Sequence, residues 1–133
     1  MANHQPPPQS ASDAVSGGVG VLLWQDIAEW LPFRDPHGHK GTFGRVAVIA
    51  GSRGMIGAAC VAAVAALRAG AGLVELLVPR PVADLCATKL TEVMVHGLPG
   101  TKIGAFSSTA VDAALPFVET ADAVLLGPGI SMK

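Results

Sequence analysis

From Arg45 onward the hydrophobic positions fall into short continuous runs separated by longer periodic ones. Arg45 to Ala50 (RVAVIA) is a β-branched run bounded by Gly44 and Gly51, as expected of a strand buried on both faces. Gly57 to Gly70 follows at helical period and is so rich in alanine that this helix must lie close against a sheet. Leu73 to Val78 (LVELLV) predicts the second strand, ended by Pro79, then a helix from Pro81 to about Lys89 and a short third strand from Glu92 to Val95. Thr109 to Val118 predicts a further helix, with Ser108 as its cap and Pro116 near its end. Ala123 to Leu126 (AVLL) is the last strand and runs straight into Gly127-Pro128-Gly129. Strands alternating with helices at this spacing imply right-handed crossovers and a mainly parallel sheet, an α/β fold.

The chain before Arg45 reads differently. Met1 to Gly20 is Pro, Ser, Gln, Ala and Gly with almost no large apolar side chains, so ordering it recovers little burial and a disordered tail is expected. Leu22, Leu23, Ile27, Trp30 and Leu31 recur at helical spacing until Pro32 stops the turn. Phe33 to Gly44 has no period and predicts a loop. Residues 21–133 are thus expected to form one domain. Lys133 follows the last strand by a few residues with no closing helix, so the sheet is expected to be cut short with an unpaired edge that invites self-association or a complementary C-terminal half.

Composition narrows the partners. The chain has 133 residues, half of them hydrophobic, which suits one compact core. Its net charge of -1 and charged fraction of 14% leave no basic stripe for nucleic acid, and the absence of Tyr removes stacking platforms for single strands. The partner is expected to be a small molecule. Met55 to Val78 is interrupted by Arg68, Glu75 and glycines, so no membrane span is expected. Cys60 and Cys86 lie in alanine-rich surroundings without metal-ligand spacing and read as buried thiols, which with the absence of a signal peptide points to the cytoplasm.

Two glycine clusters carry the candidate chemistry. Gly51, Gly54 and Gly57 recur every third residue between a strand and a helix, so backbone N–H groups can turn toward a ligand at a helix N-terminus. This is neither the GxGxxG fingerprint nor a P-loop, and a plain tight connection is the alternative. Gly127-Pro128-Gly129 ends the last strand and permits close approach by a ligand or by the neighbouring loop. Both clusters lie at carboxyl ends of strands, where open α/β sheets bind ligands. Lys40 can present a point charge to a phosphate or be a solvated lysine, and Arg53 can contact a phosphate or cap its loop. His37 and His39, one residue apart, make a weak metal-ligand pair. Asp112 and Asp122 read as solvated carboxylates, and no catalytic triad or HExxH is present.

These segments, taken in order, carry a family resemblance: Leu31-Pro32, Arg34, His39-Lys40-Gly41-Thr42-Phe43-Gly44-Arg45-Val46, Val48 to Met55, Gly57-Ala58-Ala59, Ala65 to Val74, Glu92-Val93-Met94 and Gly127-Pro128-Gly129. Over roughly Val21 to Gly129 the chain resembles the ADP- or ATP-dependent NAD(P)H-hydrate dehydratases of the ribokinase-like superfamily. The resemblance implies a three-layer α/β/α fold and repair of hydrated NADH and NADPH (NADHX and NADPHX). In that family a nucleotide with Mg²⁺ phosphorylates the ring hydroxyl, and loss of phosphate restores the dihydropyridine. It further implies that the substrate meets the GMxGA loop, here Gly54 to Ala58, with Ala58 foremost and Gly57 beside it. The glycine-proline-glycine loop contributes Gly129 and Gly127, and Lys40 joins the substrate-binding set.

The departures matter as well. A family domain is about twice as long, and its second half carries the nucleotide site and the catalytic Asp; this chain has no counterpart to them. Ile130-Ser131 replaces the usual Leu-Gly after GPG, and Thr91 replaces a proline. No catalytic residue is therefore assigned, and the isolated chain is expected not to turn over substrate. A non-catalytic binding or assembly half-domain and an independent Rossmann-like nucleotide binder are the competing expectations.

Overall fold

The computed structural model describes residues 23–28 and 30–131, with the side chain of Asp26 left out. The tail expected over residues 1–20 lies outside the described residues. The chain divides into two compact units, Met1–Pro36 and His37–Lys133. Within the first, α1 (Trp24–Ala28) is a single short helix, and its last turn is continued by the bonds Trp30 N to Ile27 O and Leu31 N to Ala28 O. Pro32, which has no N–H, comes directly after that turn.

The second unit holds a sheet and the helices that cover it. In chain order it contains β1 (Arg45–Ile49), α2 (Ile56–Arg68), β2 (Leu73–Pro79), α3 (Arg80–Ala87), β3 (Met94–Leu98), α4 (Ala110–Thr120) and β4 (Ala123–Leu126). The strands stand in the order β3-β2-β1-β4 and every pairing is parallel. The chain therefore steps from β1 outward to β2 and β3, then returns to the far side of β1. A right-handed crossover that reverses direction must change faces. Accordingly α2 and α3 pack on one face and α4 on the other, giving the expected three-layer α/β/α arrangement.

Burial follows the pleat. Val74, Leu76 and Val78 of β2 face α2 and α3 together with Val48, whereas Leu77 faces α4 with Ile49, Leu98 and Ala114. Leu76, Leu77, Val48, Val74 and Val78 are the largest fully buried apolar side chains, each contributing about 1.5–3 kcal/mol through burial. The alanines of α2 serve close approach: Ala59 and Ala63 are fully buried, and a Cβ on Gly51 would stand 3.0 Å from that of Ala59. Glu75 is the buried exception on the α4 face. Its carboxylate lies 3.6 Å from Arg45 Nη1 and 3.5 Å from His96 Nε2, and the His96 ring rests 4.6 Å from that of Phe117.

Four local expectations are corrected. Lys40–Phe43 is a 3₁₀ turn inside the expected loop, capped by His39, whose Nδ1 accepts from Gly41 N at 3.1 Å. The third strand begins and ends later than expected, because pairing runs from Glu75 with Met94 to Pro79 with Leu98. Gly97 lies in the strand, paired with Val78, and a Cβ there would press to 3.2 Å on Ala83 and Arg80 of α3. The cap of α4 is Thr109, not Ser108, and it gives no side-chain cap bond because its hydroxyl pairs with Ser107 Oγ at 2.8 Å. Pro116 sits inside α4, which continues to Thr120; the proline has no N–H to give the helix, and Thr120 Oγ1 donates to Pro116 O at 3.0 Å.

Candidate functional site

Parallel strands bring all their carboxyl ends to one edge, and the chain's change of direction opens a crevice between β1 and β4, the position where such sheets hold ligands. The loop from Gly51 to Met55 leaves β1 there, and Gly127-Pro128-Gly129 leaves β4. The two loops are laced together. Gly51 N donates to Pro128 O at 2.8 Å, and the hydroxyl of Ser52, a residue only 1% exposed, donates to Gly129 O at 2.8 Å. Gly127 N donates to Ile49 O at 3.1 Å, extending the ladder to the rim.

Glycine is required on the Gly129 side by two separate constraints. Its φ is +72°, and a Cβ would stand 2.7 Å from Met55 O. The same Cβ would lie 3.5 Å from that of Ala58, van der Waals contact, so Gly129 lies against Ala58 where the two loops meet. Gly54, Gly57 and Gly127, by contrast, border open space: a Cβ on any of them would meet nothing within 4 Å. Gly57 and Ala58 are exposed in the first turn of α2, whose unpaired N–H groups point outward at that end. A third segment closes the other flank, where Arg53 N donates to Gly104 O at 2.9 Å and Gly104 (φ +83°) lies against the Arg53 stem.

Charge at this edge has one sign. The connections at residues 50–55, 99–109 and 127–131 carry Arg53 and Lys102 and no carboxylate, and Arg80 opens α3 beside them. Arg80, Gly100, Ser107 and Thr109 line a cavity of about 500 Å³ at the same rim. An anionic ligand is attracted to such a rim. Among the described residues no three His, Cys, Asp or Glu side chains cluster to hold a metal ion.

The structure therefore brings Gly54, Gly57, Ala58, Gly127 and Gly129 to a single crevice. Lys40 is not among them. It lies before β1, at the amino-terminal edge, and its carbonyl occupies the space that a side chain on Gly72 would need at the start of β2. Asp122 is also at that edge, where its carboxylate accepts from Arg45 N at 2.8 Å and its N–H donates to Arg45 O at 2.9 Å. Ser52 and Gly104 are site residues that sequence reading passes over, because a serine between glycines and a glycine in a long connection carry no period.

A family model described as NAD(P)H-hydrate dehydratase matches residues 46–133. The chain belongs to this family. Among curated relatives of the family, the bifunctional NAD(P)H-hydrate repair enzyme Nnr of Moorella thermoacetica is 48% identical over 101 residues, 76% of this chain and 19% of the relative. The enzyme of the same name from Escherichia coli strain K12 is 36% identical over 109 residues, 82% of this chain and 19% of the relative. The chain thus spans about a fifth of the length of these relatives. A ribokinase-like superfamily protein from Enterococcus faecalis V583 superposes with a TM-score of 0.66 at 28% identity, covering 84% of this chain and 36% of that one. An ADP/ATP-dependent NAD(P)H-hydrate dehydratase from Bacillus subtilis, co-crystallised with ATP/Mg²⁺, gives a TM-score of 0.54 at 28% identity over 80% of this chain and 46% of that one. No helix among the described residues of this dehydratase-family chain is long and apolar enough to cross a membrane.

Proposed function

We propose that the crevice between β1 and β4 binds hydrated NADH or NADPH, and that this chain supplies substrate recognition for the ADP- or ATP-dependent dehydration that restores the reduced dinucleotide. The observation that carries the reading is the laced pair of glycine loops, in which Ser52 and Gly129 hold one wall while Gly54, Gly57 and Gly127 leave open volume in front of α2. The cations Arg53, Arg80 and Lys102 around the rim suit the phosphates of a dinucleotide. Gly57 and Ala58 present a helix N-terminus to the polar part of the ligand, where backbone N–H groups can donate to it without moving.

ADP or ATP with Mg²⁺ supplies the phosphoryl group that converts the ring hydroxyl into a better leaving group. The crevice does not fit the metal, because Mg²⁺ takes carboxylate and phosphate oxygens and neither glycine loop carries a carboxylate. No step of the transfer is assigned to residues of this chain, and the donor's site is placed on the portion of the relatives that this chain does not span. We place the reaction in the cytoplasm.

Calorimetric titration of the purified chain with NADPHX, NADPH and NAD tests the reading: preference for the hydrate is expected, while equal affinity for NAD would favour a general nucleotide binder. Addition of ADP or ATP with Mg²⁺ to the chain and NADHX is expected to give no recovery of dihydronicotinamide absorbance; recovery would locate the donor site here after all. The competing reading, a non-catalytic module for assembly, draws on the exposed Val124 and Leu126 of edge strand β4. Concentration-dependent mass without any hydrate binding would favour it.

A further inference from the structure

The cavity at Arg80 opens at the same carboxyl edge as the glycine crevice, over the ends of β2 and β3. Its volume of about 500 Å³ lies within the range of small-molecule sites. Neighbouring strands stand about 4.8 Å apart, so in the order β3-β2-β1-β4 this cavity lies two strand spacings, roughly 10 Å, from the gap between β1 and β4. The connection after β3 joins the two places. It folds back on itself through Thr101 N to Ala105 O at 2.8 Å, the antiparallel bridge of Gly100 with Phe106, and Ser107 N to Pro99 O at 3.1 Å. Gly100 and Ser107 of this turn line the cavity, and its Gly104 O accepts from Arg53 N of the glycine loop at 2.9 Å. One extended ligand can therefore run from crevice to cavity along a single braced wall.

The lining suits an anion beside an apolar ring. Arg80 is the first residue of α3, and its stem lies over Gly97 of β3, where a Cβ would stand 3.4 Å from Arg80 Cγ. Among the described residues its guanidinium has no hydrogen-bond or ion-pair partner, and no carboxylate lines the cavity. The hydroxyls of Ser107 and Thr109 bond each other at 2.8 Å, which uses one proton and leaves the other to donate. Pro81 and Pro99 supply apolar surface.

We propose that this cavity holds the adenosine end of the hydrated dinucleotide and that Arg80 binds a phosphate on its ribose 2′-oxygen, so that the chain selects NADPHX over NADHX. The inference rests on the reading of the β1–β4 crevice as the site of the hydrated nicotinamide, and the pyrophosphate then passes Arg53 between the two places. A free ribose 2′-hydroxyl is recognised by a carboxylate and a 2′-phosphate by an arginine, and the cavity offers only the second. A phosphate monoester accepts parallel N–H bonds from the planar guanidinium, which fixes its orientation as well as its charge.

Calorimetric titration of the full chain with NADPHX and NADHX, in wild type, Arg80→Gln and Arg80→Lys, tests the assignment. Wild type is expected to bind NADPHX ~10-fold or more tightly than NADHX, as a charge-assisted hydrogen bond provides. Arg80→Gln is expected to abolish that margin with NADHX affinity unchanged, and Arg80→Lys, which keeps the charge without the fork, to retain part of it. Arg80 is exposed, so the melting midpoint is expected not to move in either variant. Equal affinity of wild type for the two hydrates overturns the proposal and leaves the crevice reading standing, as does an Arg80→Gln variant that weakens both hydrates alike. If wild type binds neither hydrate, the crevice reading has failed, and titration with adenosine 2′,5′-bisphosphate against 5′-AMP decides the cavity by itself. Tighter binding of the bisphosphate that Arg80→Gln removes supports the 2′-phosphate site; no such preference overturns it.

Discussion

Gly57 and Gly129 face the same crevice, and a methyl group added at each has opposite consequences. Gly57 is helical with no atom within 4 Å of an added Cβ, so Gly57→Ala is expected to stabilise the fold by about 0.5–1 kcal/mol in chemical denaturation. Gly129→Ala forces a Cβ to 2.7 Å from Met55 O at φ +72° and is expected to destabilise by about 1–3 kcal/mol. Both are expected to weaken NADPHX binding in the same titration. Binding left intact in Gly57→Ala, despite the stability gain, would mean that the open space there is not where the ligand sits. Cys86 supplies a pH prediction at the same scale. Its folded pKa is raised from 9.0 to about 12, so its contribution to stability is complete below pH 9 and is lost as pH rises toward 12. Denaturation midpoints are expected to fall across that window, and Cys86→Val is expected to flatten that part of the profile.

Strand β4 is only four residues long, and its place beside β1 depends on latches at both ends. At the amino end Asp122 and Arg45 exchange two bonds; at the carboxyl end Gly51 and Ser52 bind the carbonyls of Pro128 and Gly129. Removing the Ser52 hydroxyl leaves a carbonyl in the laced loops without its partner, so Ser52→Ala is expected to cost about 1–3 kcal/mol. Hydrogen exchange should show the loss concentrated in residues 123–130. An evenly distributed loss would mean that Ser52 serves the core in general and not this latch.

At the scale of the molecule, the β4 side of the α4 face is an uncovered apolar patch among the described residues. Val124 is 45% and Leu126 is 68% exposed on the edge strand, and Val111 and Leu115 are exposed along one flank of α4. An apolar edge with unpaired backbone groups recruits another strand. The chain is therefore expected to show concentration-dependent mass in sedimentation velocity, and Leu126→Lys is expected to suppress it. Association that persists unchanged in that variant would place the contact elsewhere.

Period and punctuation determined most of the architecture before any tertiary information. The β-branched run at Arg45–Ile49, the alanine helix at Ile56–Arg68, the strand at Leu73–Pro79 and the terminal AVLL strand are local signals, because each is an apolar run punctuated by glycine or proline. The glycine loops were legible too, since a strand that ends in spaced glycines marks a tight rim whatever its neighbours are. What only the folded chain decided are relations between distant residues. The bond from Ser52 to Gly129 spans 77 residues and leaves no trace in local pattern. Lys40 adjoins the strand that carries the glycine loop, yet strand direction sends it to the opposite edge. Local sequence sets each element through its own periodicity, whereas contacts between elements come from the order and direction of strands, which no short window contains.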